Sequence, residues 1–203
     1  MAAIASTSKT PISIWTLCEQ SGISDQARKF ATSEMSPGTL LGKLIDAELY
    51  VDVIKLVSHA LPKREAIWWG ALCVEMISKK DDPPADLGAL RSVVQWVIEP
   101  NEAHRVQAAY AADECQSASP ACSLAQAVKW TGGSMSRPGL PVVPPEPKMT
   151  PNAIVAAVRS AATKGDRQTQ KQRLRDFLRL AVEVAEGRHH WTGGKMPAGG
   201  RST

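Results

Sequence analysis

Apolar residues recur at helical spacing along almost the whole chain, and no stretch alternates apolar with polar residues as a half-buried strand would. The clearest case is Leu174, Phe177, Leu178, Ala181, Val182 and Ala185, which fall at i, i+3, i+4, i+7, i+8 and i+11 and so share one face of a helix. An all-α fold is expected, either a helical bundle or stacked helical hairpins, with a Pro-rich connector and a C-terminal helical hairpin.

Residues 1–36 read as an N-terminal segment with short helices, with Ile12, Ile14, Trp15 and Leu17 as packing residues. Residues 37–133 read as a helical body. Leu40, Leu41, Leu44, Ile45 and Leu49, then Val53, Ile54, Val57 and Leu61, mark one long helix or two in succession. Pro62 suits a first helical turn, where a missing N–H is no loss. The helix it opens carries Ile67, Trp68, Trp69, Leu72, Cys73, Met76 and Ile77 around most of its circumference, the mark of a central helix. After Asp81-Asp82-Pro83-Pro84, a further helix presents Leu87, Leu90, Val93, Val94 and Val97, with Trp96 beside them. Another starts at Pro100, and a short one runs from about Ala121 to Trp130. The spacing from Pro62 to Pro100 lies between the ~34 and ~40–47 residue periods of helical-hairpin repeats. Two copies leave stacked hairpins and an irregular bundle equally open.

Residues 134–149 form the Pro-rich connector, stiff and extended at ~3.1 Å per residue, enough to cross roughly 50 Å of surface. Its Leu140, Val142 and Val143 suggest that it lies along the body. Residues 150–188 form a basic hairpin turning at Lys164-Gly165-Asp166, and residues 189–203 a flexible tail. One short pattern recurs, Trp130-Thr131-Gly132-Gly133 returning as Trp191-Thr192-Gly193-Gly194. Paired glycines take the left-handed conformation that stops helices, so each copy reads as a helix end. Trp130 is expected to be buried, and Trp191 to be loosely held or free for a partner.

Composition narrows the class. Of 203 residues, 43% are hydrophobic, which suits a globular chain, and six of the ten aromatic residues are Trp, so each large anchor matters. The first residues lack a basic start and an apolar run of signal-peptide length, and nothing approaches the ~20 apolar residues of a membrane span. A cytoplasmic address is expected. Cys18, Cys73, Cys115 and Cys122 are scattered without a CxxC pair, in keeping with a reducing compartment. The net charge of +4 is uneven, because from Lys148 onward eleven Lys or Arg face four Asp or Glu.

Arg167, Lys171, Arg175 and Arg179 recur every four residues, largely off the Leu174/Phe177 stripe, as a ridge able to meet phosphates or an acidic partner. A solvated helix face is the simpler reading, since no aromatic is interleaved to stack on bases. Trp68 and Trp69 stand about 100° apart on a helix, so they read as core rather than as one flat platform. Trp96, Gly132 and Gly133 join Trp68, Trp69 and Trp130 as structural anchors. Lys63, Arg64 and Glu65 read as ion-pairing residues. His59, His104, His189 and His190 have no metal-ligand spacing. Cys115 and Cys122 are seven apart across a turn and lack a second pair, so no zinc site is expected, and no cofactor is implied. The chain has no GxSxG elbow, Gly-rich phosphate loop or HExxH. An enzyme would need a site assembled only in three dimensions, such as His59 or His104 beside a carboxylate and Cys73 or Cys115.

Leu61-Pro62-x-Arg64-Glu65-Ala66-x-Trp68-Trp69, then Trp130-x-Gly132-Gly133-Ser134, then the Pro-rich run to Thr150 and an Ala-rich helix resembles an uncharacterised family of bacterial all-helical proteins. Proteins of that kind are sometimes encoded beside type VI secretion genes. The resemblance spans about residues 40 to 188, brings no catalytic residues, and implies an accessory role in secretion. The expected function is a non-enzymatic cytoplasmic adaptor for an unidentified protein partner. Nucleic-acid binding by the basic ridge is the alternative.

Overall fold

The computed structural model describes residues 13–115, 119–136 and 139–189. Among them are ten α-helices and no strand: α1 (Ile14–Ser21), α2 (Asp25–Arg28), α3 (Pro37–Asp46), α4 (Tyr50–Ala60), α5 (Lys63–Ile77), α6 (Pro84–Ile98), α7 (Glu102–Glu114), α8 (Pro120–Lys129), α9 (Met149–Thr163) and α10 (Arg167–Ala185). Local chemistry starts many of them. Ser13, Ser24, Ser36, Asn101, Ser119 and Asp166 each accept a backbone N–H of the first turn that has no partner within the helix. The stops are equally local. At the end of α10 Gly187 takes φ 69°, with Gly187 N–H on the Val184 carbonyl and Arg188 N–H on that of Glu183, the paired bonds of a Schellman motif. The same pair of bonds ends α3, but the left-handed residue there is Glu48, at φ 58°. A side chain in that conformation costs about 1 kcal/mol.

Helix α5 is the axis of the fold. Its residues from Ala66 to Val74 are all buried, and α4, α6, α8, α9 and α10 pack around it. The all-round apolar pattern therefore marked a central helix, although Met76 near its end faces solvent. Helix α9 also packs on α4, α5 and α8, and it buries Ile154, Val155, Val158 and Ala161. The α5–α8 crossing is close enough to require a glycine, because a Cβ at Gly70 would lie 2.6 Å from Leu124 Cδ2. Leu124 is itself fully buried and has little room to yield. Gly70→Ala gains about 1 kcal/mol of helix propensity, but the overpacking costs ~1–3 kcal/mol. The variant is expected to be less stable in urea unfolding, with Leu124→Val in the same chain recovering part of the loss. A Gly70→Ala chain more stable than the parent would contradict this packing.

Three sequence expectations are corrected here. Trp15 is 50% exposed rather than packed, since α1 buries the face of Ile14, Leu17 and Cys18 instead. Trp130 is half-buried at the edge of the core, because it forms the C-cap of α8 where the chain leaves the body. The connector does not lay its apolar side chains on the body. Leu140, Val142 and Val143 are 60%, 75% and 50% exposed, and the segment folds back on itself through Met135 N–H to the Val143 carbonyl at 2.7 Å.

The Gly132-Gly133 pair also differs from the expected helix stop, as α8 has already ended at Lys129. Gly133, at φ 75°, lies against the Arg105 guanidinium, and a Cβ there would come within 2.6 Å of Arg105 Cζ. Arg105 donates to the Glu102 carboxylate at 2.6 and 2.7 Å and to the Lys129 carbonyl at 2.9 Å, tying α7 to the end of α8. Trp191 and the rest of its copy lie outside the described residues. No helix among the described residues is long and apolar enough to cross a membrane.

Candidate functional site

The amphipathic pattern of α10 sends Phe177, Leu178 and Ala181 into the core and leaves the basic ridge on the flank. Trp69 fixes this orientation, donating its indole Nε1–H to the Phe177 carbonyl at 2.7 Å, while Trp68 donates to the carbonyl of His189 at 3.1 Å. The tryptophan pair is thus core, as expected, and it clamps the C-terminal helix from inside. Trp96 is buried on α6.

The ridge residues meet the turn between α3 and α4. Lys171 pairs with Glu48, whose carboxyl is held below its usual range chiefly by the hydrogen bond from the Lys171 ammonium. Arg175 Nε lies 3.4 Å from the Tyr50 hydroxyl. Arg179 donates to Glu183 at 2.9 Å, and His189 Nε2 lies 2.6 Å from the other oxygen of that carboxylate. Burial pushes the Glu183 carboxyl up, but the bonds from Arg179 and His189 outweigh it and hold the group below its usual range. The Arg167 side chain lies outside the described atoms. Neighbouring cations serve structure. Arg173 donates to the Ala162 and Lys164 carbonyls at the end of α9, and Lys164 pairs with Asp82 at 2.9 Å. Arg64 donates to the Val97 and Ile98 carbonyls at the C-terminus of α6.

Between α3 and α10 these residues frame a groove of about 430 Å³, lined by Ile45, Leu178 and Val182 and by Arg175, Arg179, Glu183 and Arg188. Three arginines surround an apolar strip beside one carboxylate. Arg188 pairs with Glu186 and Arg179 with Glu183, whereas Arg175 bonds the Tyr50 hydroxyl and shares the charge of Glu48 with Lys171. The sequence showed the ridge but not its meeting with Ile45, Glu48 or Tyr50, which precede Lys171 by more than 120 residues and carry no motif.

A second pocket, of about 390 Å³, lies where the ends of α1 and α4 meet the starts of α5 and α9. His59 lines it with Glu19, Lys63 and Lys148. Neither Cys73 nor Cys115 lines it, so the three-part His, carboxylate and Cys constellation is not assembled there. His59 Nδ1 lies 2.9 Å from the Lys55 carbonyl, which can only accept, so the proton sits on Nδ1. Nε2 is buried without a partner. Burial pulls the His59 pKa below 6.5, against the opposing effect of the Lys55 bond. Between the unfolded and the lower folded pKa the unfolded chain binds more protons, so stability is full above the unfolded value and falls as pH drops through this window. Urea midpoints are expected to decline as pH falls through and below about 6.5, the ordinary histidine value. The decline should be shallower in His59→Gln, and equal slopes would assign it to other groups. Elsewhere, burial pushes the Cys73 thiol well up, so that sulfur is not poised as a nucleophile.

Fold and site together define an all-helical protein that carries an arginine-framed apolar groove on its last described helix. Residues 40–185 match DUF6931, a family of unknown function, and with well over half of the chain covered the protein belongs to that family. No curated protein and no solved structure matches it.

Proposed function

We propose that the protein is a non-enzymatic adaptor that receives an acidic, apolar-anchored segment of a protein partner in the α10 groove. The observation that carries this reading is the groove lining itself, in which Arg175, Arg179 and Arg188 stand beside Ile45, Leu178 and Val182 with Glu183 as the single carboxylate. An apolar strip gives such a segment its anchor, and the excess of positive charge beside it selects acidic flanks and speeds encounter. A place beside a type VI secretion apparatus is the finer form of this reading, supported by the sequence resemblance.

The test is affinity capture from a bacterial lysate with the parent chain and with Arg175→Glu/Arg179→Glu in parallel. Proteins held by the parent are expected to be lost from the double variant while its helical circular dichroism is unchanged. An identical set on both chains overturns the assignment of the groove. Nucleic-acid binding by the ridge is disfavoured by the pairing of Lys171 with Glu48 and of Arg179 with Glu183, since a paired cation neutralises less phosphate charge. Binding to duplex DNA that weakens steeply with salt and disappears in Lys171→Glu/Arg175→Glu would favour that reading instead.

A further inference from the structure

Cys115 and Cys122 are joined as a disulfide, with Cα atoms 6.1 Å apart, which departs from the scattered, reduced cysteines expected of the sequence. The bond links the C-cap of α7 to the first turn of α8. A third group reaches the same point from a different helix. Asp86, in the first turn of α6, places Oδ1 3.4 Å from Cys122 Sγ, and one ligand atom from each of the three residues lies within 4.8 Å of the others.

With the two sulfurs bonded to each other there is no S–H for the Asp86 carboxylate to accept. Among the described residues it has no other side-chain or backbone donor, so it faces the sulfur pair uncompensated by protein. The surroundings favour negative charge on sulfur once the bond opens. Cys122 sits in the first turn of α8, at the positive end of the helix dipole, which favours a thiolate. The Ser119 hydroxyl also lies 2.9 Å from Cys122 Sγ and can donate to it.

We infer that the reduced chain binds a thiophilic divalent cation of the Zn²⁺ class on Cys115, Cys122 and Asp86. Two thiolates and one carboxylate supply three ligands of a tetrahedral site and leave the fourth to water, and sulfur ligands select Zn²⁺ over Mg²⁺ or Ca²⁺. Tetrahedral coordination sets the sulfurs ~3.8 Å apart, so the two side chains part from their bonded arrangement when the ion enters. Opening the disulfide takes two electrons and two protons from a dithiol reductant, which leaves as its own disulfide. Binding the cation then releases the two thiol protons to solvent. The disulfide and the metal are alternative occupants of the same sulfur pair, so the chain would hold the cation only when reduced. Sequence spacing showed two cysteines without a second pair, and the missing ligand comes from α6.

Cobalt(II) is the probe. The full chain, reduced with dithiothreitol, desalted under argon and titrated with Co²⁺, is expected to bind one ion with sulfur-to-cobalt charge-transfer absorption and the visible bands of a tetrahedral centre, both bleached by added Zn²⁺. The oxidised chain is expected to show neither. Asp86→Asn is expected to weaken binding by about tenfold or more while keeping the sulfur band, and Cys122→Ser to abolish that band. Circular dichroism of each variant checks that it is folded. A reduced parent chain without sulfur-to-cobalt absorption overturns the site, as does an oxidised chain that binds equally well. Undiminished affinity in folded Asp86→Asn overturns the three-ligand assignment.

Discussion

Trp69→Ala is expected to lower the free energy of unfolding by about 3–5 kcal/mol, the largest effect of any single substitution considered. Trp69 is fully buried on the central helix, and its indole holds the Phe177 carbonyl at the α5–α10 crossing. Truncation therefore opens a large cavity and removes the bond that sets the rotation of α10. Trp69→Phe separates the two contributions, since it keeps an aromatic ring in place and deletes the donor, with an expected cost of ~1–3 kcal/mol. Urea unfolding followed by circular dichroism measures both. Because α10 carries Arg175 and Arg179, capture of partner proteins is expected to fall in Trp69→Ala as well, without any change in the groove's own residues. A Trp69→Ala chain as stable as the parent would place this side chain outside the core.

Reduction of the Cys115–Cys122 bond is expected to cost the next largest amount, about 2–3 kcal/mol for the short loop that it closes. The cross-link restricts the unfolded chain between two helices that pack closely in the folded one, α7 and α8. Unfolding of the parent chain with and without dithiothreitol, in the presence of a chelator, reads the difference. Cys115→Ser/Cys122→Ser should show the lower stability under both conditions. Equal midpoints for the oxidised and reduced parent would show that the native helices hold the loop without the bond. Adding Zn²⁺ to the reduced parent, with no chelator, should restore part of the loss, because a ligand bound by the folded state alone stabilises that state.

Much of the helical skeleton was readable along the chain because its causes are local. Pro62 and Pro100, read as helix openers, stand one and two residues before the starts of α5 and α7. The stripe from Leu174 to Ala185 and the apolar circumference of α5 follow from helical period alone. The basic ridge was legible for the same reason, as one residue in four on a helix of known phase. Its partners were not, since Glu48 and Tyr50 approach Lys171 and Arg175 only after the α3–α4 turn has been placed against α10. The expectation for the connector failed because residue type says that Leu140, Val142 and Val143 are apolar, whereas exposure depends on which neighbours arrive.

Periodicity and capping are short-range physics, and from them the residues alone settled an all-helical chain with α5 at its centre and a cationic flank on α10. Proximity between distant segments is long-range, set by the joint burial of many apolar faces, and only the folded arrangement decided it. It brought Ile45 and Tyr50 to the arginines and turned Asp86 of α6 toward the Cys115–Cys122 pair. Each of these is a meeting of residues on different helices, for which spacing along the chain carries no signal.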